Sequence, residues 1–256
     1  MKTRLSPALA AVLFGGIALF ANSCTTNSGK KGKAGEPAAI GAPVNQPLPT
    51  SVGTQNSYSR VSTSLPFIAL TFDDGPHPVN TPKLLDILKQ RNVKATFYVV
   101  ATNVKRYPEI MRRIVAEGHE IGNHTVTHGN LAKMSDAAVR QELTASREAI
   151  IAATGVAPRT MRPPYGAITP AQKSWIRQEF GYPAILWSVD PEDWKRPGVS
   201  VVTSRLLSGA APGGILLVHD IHAPTIEAMP ATIDQLLARG LQFVTVTQLI
   251  AMDGKG

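Results

Sequence analysis

The sequence predicts one α/β domain folded as a closed or nearly closed β/α barrel. From Leu65 onward, short runs rich in β-branched residues alternate with helical patterns, and about seven such strand-and-helix units occupy about 190 residues. The runs "FIAL" and "GILLV" are apolar throughout, as expected for parallel strands buried on both faces. This many units in this length favours a barrel over a larger doubly wound sheet.

The predicted strands and helices follow one another along the chain. Ser135 and Asp136 suit the N-terminus of a helix that carries Val139, Leu143 and Ile150. Glycines mark the expected ends of four helices, at Gly118, Gly155, Gly181 and Gly240. We predict strands at "FIALTF", "ATFYVV", "HEIGNH", "TMRPP", "AILWSV", "GGILLVHD" and "LQFVTVT", and helices at "TPKLLDILKQRN", "PEIMRRIVAEG", "SDAAVRQELTASREAIIAATG", "TPAQKSWIRQEFG", "SVVTSRLLSGA" and "PATIDQLLARG".

The net charge does not indicate a nucleic-acid-binding protein. The chain of 256 residues has a formal net charge of +8. Residues 1–64 hold six basic residues against one glutamate, which accounts for +5 and leaves +3 for the remainder. A basic N-terminal segment ahead of a nearly balanced domain suits a tether beside an anionic envelope surface. We therefore expect no nucleic-acid partner.

The N-terminus has the pattern of an export signal. Lys2 and Arg4 precede a short apolar run that ends in small residues before Cys24, which predicts a signal peptide at 1–23 rather than a membrane-spanning helix. Cys24 is the only cysteine, so no intramolecular disulfide can form. It resembles the acylated cysteine of a bacterial lipoprotein, although Ala21 and Asn22 stand where a leucine and a small residue are usual. Ordinary signal cleavage and an uncleaved anchor are the alternatives.

The chain therefore divides into three parts. Residues 24–64 are rich in Gly, Pro and Ser without hydrophobic periodicity, which predicts a disordered linker. Residues 65–256 form the folded domain. We expect an exported protein of the cell envelope, tethered to a membrane through a lipid on Cys24, facing the periplasm or the exterior, and monomeric.

Reactive side chains follow five of the predicted strands. Asp73 and Asp74 come after "IALTF", and the others are His124, Arg162, Asp190 and His219. The carboxyl ends of barrel strands meet at one rim, where barrel active sites form. We therefore expect these residues to share one pocket.

Two histidines and a carboxylate suggest a metal site in that pocket. His124 and His128 in "HTVTH" are four residues apart, a spacing that on a helical turn directs both rings the same way. With one carboxylate they form a set that leaves positions on a divalent cation open. Adjacent Asp73 and Asp74 can then differ, one binding metal and the other acting as a base. Taken alone, "DDG" is equally typical of a polar turn.

Five ordered motifs resemble one family. "TFDDGP", "HTVTH", "RPPYG", "DPEDW" and "LLVH" are similar to those of the polysaccharide deacetylases of carbohydrate esterase family 4, across about Leu65 to Thr247. The resemblance implies a distorted (β/α)7-8 barrel, a divalent cofactor that is usually zinc, with cobalt or another ion as the alternative, and removal of N- or O-acetyl groups from polysaccharides. It makes 65–256 the deacetylase catalytic domain.

The resemblance also implies a role for each site residue. Asp73 would be the general base, oriented by Arg162. The metal ligands would be Asp74, His124 and His128.

Further residues complete the site that the resemblance implies. The backbone N–H of Tyr165 would stabilise an oxyanion. His219 would be the general acid, with Asp190 hydrogen-bonded to it. Leu217 and Trp194 would form an apolar wall around the acetyl methyl and the sugar. Trp187, by contrast, is expected in the core.

The substrate that the resemblance favours is peptidoglycan, deacetylated at N-acetylglucosamine. Location favours it, because a tethered enzyme needs a substrate within reach of its linker. The alternatives are a chitin or chitooligosaccharide deacetylase and an esterase acting on acetylxylan or an exopolysaccharide. A sugar-binding lipoprotein without activity is the remote alternative.

Overall fold

The structure is a computed structural model that describes residues 53–255. The predicted export signal, Cys24 and most of the predicted linker lie outside the described residues. Within 53–255, every helix is too short or too polar to cross a membrane.

A parallel sheet forms the centre of the fold. Its strands run in the order β4, β3, β2, β6, and β7 pairs with the beginning of β2. A separate parallel pair joins β1 and β5. The strands are β1 (Ser57–Tyr58), β2 (Phe67–Asp73), β3 (Thr96–Val99), β4 (Glu120–Asn123), β5 (Ala184–Ile185), β6 (Ile215–His219) and β7 (Gln242–Phe243).

Eight helices in the described part of the chain connect and flank these strands. Three short 3₁₀ turns also occur, at Leu131–Lys133, Pro164–Gly166 and Asp193–Lys195. The helices are α1 (Asn80–Gln90), α2 (Ala101–Arg106), α3 (Pro108–Ala116), α4 (Asp136–Thr154), α5 (Pro170–Phe180), α6 (Val199–Gly209), α7 (Ala223–Ala238) and α8 (Val246–Ile250).

Single bridges close the sheet into a distorted barrel. Met161 bridges both Asn123 of β4 and Ala184 of β5, and Val189, a few residues past β5, bridges Leu216 of β6. The fold class predicted from the sequence is therefore confirmed. The predicted strand "TMRPP" is reduced to single bridges at Met161, and "AILWSV" is reduced to the two residues of β5. Prolines within or beside these segments have no N–H to donate to a sheet.

Strand β2 shows why its run is apolar on both faces. Ile68, Leu70 and Phe72 pack in the large core formed with the helices. Ala69, on the alternate face, belongs to a second cluster that includes Tyr98 and Ile215. Burial on both faces is what a parallel sheet inside a barrel requires.

The predicted helix ends are largely confirmed. The Ser135 hydroxyl accepts a hydrogen bond from the Ala138 N–H and caps α4. Gly155 and Gly181 end α4 and α5 in left-handed conformations, with φ of 74° and 73°, which a residue without Cβ adopts without strain.

Two predicted boundaries near the C-terminus were wrong. Helix α7 begins at Ala223 and continues through Pro230, where the sequence suggested a helix start. The predicted strand "LQFVTVT" ends after Phe243, and Thr245 begins α8 by forming a capping box with Gln248.

The linker prediction was also wrong for residues 53–64. Strand β1 pairs with β5, and Tyr58 and Val61 are buried. The Tyr58 hydroxyl accepts hydrogen bonds from the N–H groups of Thr54 and Gln55. The folded domain therefore includes this segment, because the buried side chains of Tyr58 and Val61 and the pairing of β1 attach it to the core, which its overall composition did not indicate.

Candidate active site

One cavity of about 440 Å³ opens at the carboxyl ends of the strands, a volume suited to a small ligand. Nine of the ten site residues predicted in the folded domain line it, and Arg162 lies buried beside it. The lining consists of Asp73, Asp74, His124, His128, Pro163, Tyr165, Trp187, Asp190, Trp194, Leu217 and His219. The structure therefore brings the strand-end residues together around one pocket, with Arg162 beside the pocket and not in its lining.

Arg162 and Asp73 form a buried ion pair below the cavity. Arg162 Nη1 donates to Asp73 Oδ1 at 2.7 Å, and the Arg162 side chain is fully buried. The guanidinium also donates to Thr71 Oγ1 and to the carbonyls of Ile185 and Leu186. These bonds hold the guanidinium against Asp73 Oδ1, whereas Asp73 Oδ2 faces the cavity side, 3.7 Å from His124 Nε2.

The two adjacent aspartates differ in backbone conformation and in their main partners, although both lie near His124 Nε2. Asp73 is the last residue of β2, whereas Asp74 has a left-handed backbone with φ of 75°. This reversal sends Asp74 Oδ1 towards His124 Nε2 at 3.4 Å and His128 Nε2 at 3.2 Å. Next in the chain, Gly75 is packed so closely that a Cβ there would collide with the Asp220 carboxylate.

Asp74, His124 and His128 form a candidate metal site, with donor atoms all within 4.8 Å of one another. His124 Nδ1 hydrogen-bonds the Arg162 carbonyl at 2.7 Å, so its proton sits on Nδ1 and Nε2 keeps a free lone pair. Asp74 Oδ1 is buried without a hydrogen-bond partner among the described residues. A divalent cation would satisfy it.

His124 and His128 do not lie on a helical turn, although their spacing of four residues suggested one. The segment is a loop in which Thr125 and His128 have left-handed backbones, with φ of 68° and 59°. The loop still brings the two rings to a centroid separation of 4.9 Å. The spacing was therefore informative for a different physical reason.

The titration of the candidate metal residues favours metal binding. Burial raises the pKa of Asp74, but the imidazoles of His124 and His128 outweigh it and hold the pKa at about 2. Burial lowers the pKa of His128. Metal ligands must be an ionised carboxylate and neutral imidazoles; the lowered pKa of His128 favours its neutral ring, and the Asp74 carboxylate is ionised at neutral pH.

Asp193, not Asp190, is the partner of His219. His219 Nδ1 lies 2.8 Å from Asp193 Oδ1, and the backbone N–H of His219 donates to Asp193 Oδ2. Asp190 Oδ1 instead accepts from the Glu192 N–H at 2.7 Å. The prediction for Asp190 was wrong because this local bond turns the chain and presents the second aspartate of "DPEDW" to the histidine.

The Asp193 contact sets the charge of His219. Burial lowers the pKa of His219, but its hydrogen bond to Asp193 and the charges of Asp193, Asp73 and Asp74 outweigh it and raise the pKa to about 9. His219 is therefore protonated at neutral pH. With Nδ1 held by Asp193, Nε2 is the nitrogen available to the cavity.

Aromatic and apolar side chains form the rest of the cavity wall. Tyr165 and Trp194 are 69% and 50% exposed, so they rim the opening, and Leu217 lies within it. Tyr165 has φ of 60° and its ring contacts His128 edge-on. Trp187, expected in the core, also lines the cavity.

Sequence reasoning missed several residues that support the site. Asp193 was visible as the second aspartate of a quoted motif. Thr71 is two residues before Asp73 on β2, so the period of two predicts that both lie on one face of the strand, and this is the face that Arg162 contacts. Asp220 and Glu142 carry no sequence signal, because what they contact is distant in the chain: Asp220 packs on Gly75 and bonds the Thr81 hydroxyl, and Glu142 accepts from the N–H groups of Val126 and Thr127.

Comparison with known proteins places this site in a family. A family model described as polysaccharide deacetylase matches residues 60–185. A peptidoglycan-N-acetylglucosamine deacetylase of Listeria monocytogenes is 43% identical over 182 residues, which cover 71% of this chain and 38% of that protein. A chitooligosaccharide deacetylase of Bradyrhizobium is 43% identical over 197 residues, covering 71% of this chain and 90% of that protein.

A solved structure agrees with these relatives. The crystal structure of a peptidoglycan N-acetylglucosamine deacetylase matches with a TM-score of 0.71 and 38% identity, covering 74% of this chain and 90% of that one. The fold and site define a β/α-barrel protein with a histidine–carboxylate centre between two ion-paired groups. The chain belongs to the polysaccharide deacetylase family.

The assignment of Asp193 can be tested by replacing each aspartate. Asp193→Asn removes the hydrogen-bonded charge that contributes most to raising the His219 pKa, while burial still lowers it, so this pKa should fall clearly below about 9 even with Asp73 and Asp74 still charged. NMR titration of the imidazole in metal-free protein measures it. Asp190→Asn is the matched control and should leave the value near 9. A large shift in the control with none in Asp193→Asn would contradict the assignment.

Proposed function

We propose that this protein is a metal-dependent N-deacetylase that hydrolyses the acetyl group of N-acetylglucosamine residues in peptidoglycan. The observation that carries the proposal is the placement of an Arg-paired carboxylate and an Asp-paired imidazole at one register position of β2 and β6. Asp73 and His219 are direct neighbours across that pairing. They flank the candidate metal residues in a single cavity.

Asp74, His124 and His128 would hold the cation. Their carboxylate and imidazole donors suit Zn²⁺, and Co²⁺ or another divalent ion is the alternative. When bound, such an ion would polarise the acetyl carbonyl and lower the pKa of a water molecule.

Asp73 would act as the general base. Its Oδ1 is occupied by Arg162, which leaves Oδ2 to accept a proton from the attacking water. The buried guanidinium keeps the carboxylate in this orientation through the reaction.

His219 would act as the general acid. It is protonated at neutral pH because its pKa is about 9, and Asp193 fixes its Nδ1. Nε2 is then positioned to give its proton to the departing amine. Asp193 therefore takes the role that the sequence had suggested for Asp190.

The surrounding residues would complete the site. The Tyr165 backbone N–H would donate to the developing oxyanion. Leu217 and Trp194 would provide apolar surface for the acetyl methyl and the sugar ring. These intact groups support an enzyme over a sugar-binding protein without activity.

Peptidoglycan is the favoured substrate because the relatives include a peptidoglycan deacetylase and because the N-terminus predicts export. A chitooligosaccharide deacetylase is the second candidate, since the Bradyrhizobium relative is matched over 90% of its length. Acetylated xylan and exopolysaccharide remain further alternatives.

Acetate release from three polymers tests the function. Purified protein with Zn²⁺ should release acetate from peptidoglycan faster than from chitooligosaccharides or acetylated xylan, and chelation of the metal should abolish release. Absence of acetate from all three would refute the enzymatic function. Faster release from chitooligosaccharides would refute only the choice of substrate.

The division of labour between the adjacent aspartates is tested by metal content. Asp73→Asn should lower turnover by about 10²–10⁴-fold while metal content stays near wild type, because the amide oxygen of the new side chain can still accept from Arg162. His128→Ala should lose both metal and activity. Glu148→Gln, an exposed change on α4, should change neither. Equal metal loss in the first two variants, measured by elemental analysis, would contradict the assignment.

We also propose an envelope protein anchored by a lipid on Cys24. Cys24→Ser should release the protein from the membrane fraction, because the proposed lipid on this cysteine is the attachment. Membrane partitioning after fractionation measures this. A Cys24→Ser protein that still pellets with membranes would refute acylation as the tether.

A further inference from the structure

The loop between the two histidines has an unusual set of hydrogen bonds. Four successive backbone N–H groups, from Thr125 to His128, all donate to side chains. Asn123 Oδ1 accepts from the Thr125 N–H at 2.9 Å, and Thr125 Oγ1 accepts from the His128 N–H at 3.1 Å. The two N–H groups between them, those of Val126 and Thr127, both donate to Glu142.

Glu142 uses both carboxylate oxygens on this loop. Its Oε2 accepts from the N–H groups of Val126 and Thr127 at 2.7 and 2.9 Å, and Oε1 accepts from the Thr127 hydroxyl at 2.9 Å. A carboxylate that receives successive backbone N–H groups makes charge-assisted hydrogen bonds, which are stronger than neutral ones.

The next residue of α4 holds the beginning of the same loop. The Leu143 carbonyl accepts from Asn123 Nδ2 at 2.9 Å, and Asn123 in turn binds the Thr125 N–H. Two adjacent residues of α4 therefore anchor the loop at its beginning and in its middle. Since α4 packs on α2 and α3, the anchor is attached to the body of the domain.

The anchored loop contains two residues in an unfavourable backbone conformation. Thr125 and His128 have left-handed backbones, a conformation that costs a residue with a Cβ about 1–3 kcal/mol and persists only where the surroundings enforce it. The Glu142 bonds fall between these two residues. Without them, the loop could relax and separate the two imidazoles.

We propose that Glu142 is a positioning residue that sets the loop carrying His124 and His128 in its metal-binding geometry. The inference rests on the proposed metal site. Glu142 contacts neither imidazole through any of its three hydrogen bonds, so it acts through the backbone and is not a ligand.

The test is Zn²⁺ affinity, measured on the full chain by competition with a chromophoric chelator. Glu142→Ala removes all three bonds and should weaken Zn²⁺ binding by about 10-fold, the low end of the effect of outer-shell changes. Glu142→Gln keeps an oxygen for the two N–H groups and should fall between wild type and Ala. Thr127→Val removes one bond and should have the smallest effect.

Glu148→Gln is the matched control, since it removes an exposed carboxylate from the same helix and should leave affinity unchanged. Amide hydrogen exchange gives a readout independent of metal. The Val126 and Thr127 amides should exchange faster in Glu142→Ala than in wild type, because they lose their acceptor.

Zn²⁺ affinity of the variants decides whether Glu142 has the positioning role. Wild-type Zn²⁺ affinity in a folded Glu142→Ala protein would overturn the positioning role. If that variant does not fold, wild-type affinity in both Glu142→Gln and Thr127→Val would overturn it. Failure of the wild-type protein to bind Zn²⁺ would instead refute the metal site of the proposed function.

Discussion

The buried ion pair between Arg162 and Asp73 is the interaction on which the rest of the site depends. Arg162 is fully buried and lies over the Tyr98 ring, 4.3 Å from its centroid. A charge in this position is tolerable only when it is paired and its donors are satisfied. Thr71, Asp73 and two carbonyls meet that need.

Arg162 also contacts two different parts of the site. The Arg162 carbonyl holds His124 Nδ1, while the Arg162 guanidinium holds Asp73. One residue therefore orients both a candidate metal ligand and the proposed base. Removing one partner of such a pair typically costs about 3–5 kcal/mol, so the fold and the site are stabilised together.

The site also shifts the pKa values of two of its ionisable groups in opposite directions. Asp74 stays ionised with a pKa of about 2, whereas His219 stays protonated with a pKa of about 9. Burial opposes both charges, and specific neighbours overcome it in each case. Local environments that shift the pKa values of two groups in opposite directions allow one cavity to hold both an ionised carboxylate and a protonated imidazole at neutral pH.

The sequence by itself determined the parallel β/α architecture and the residues that gather at the rim. Those features are local, because continuous apolar runs indicate buried parallel strands and a strand's end places its next residue at the rim. Tertiary structure decided that Asp193 supports His219, that Trp187 lines the cavity, and that Glu142 anchors the histidine loop. Asp193 and the histidine loop lie in irregular segments with left-handed residues, and Trp187 follows a strand of only two residues, so side-chain direction there no longer follows the period of a helix or strand.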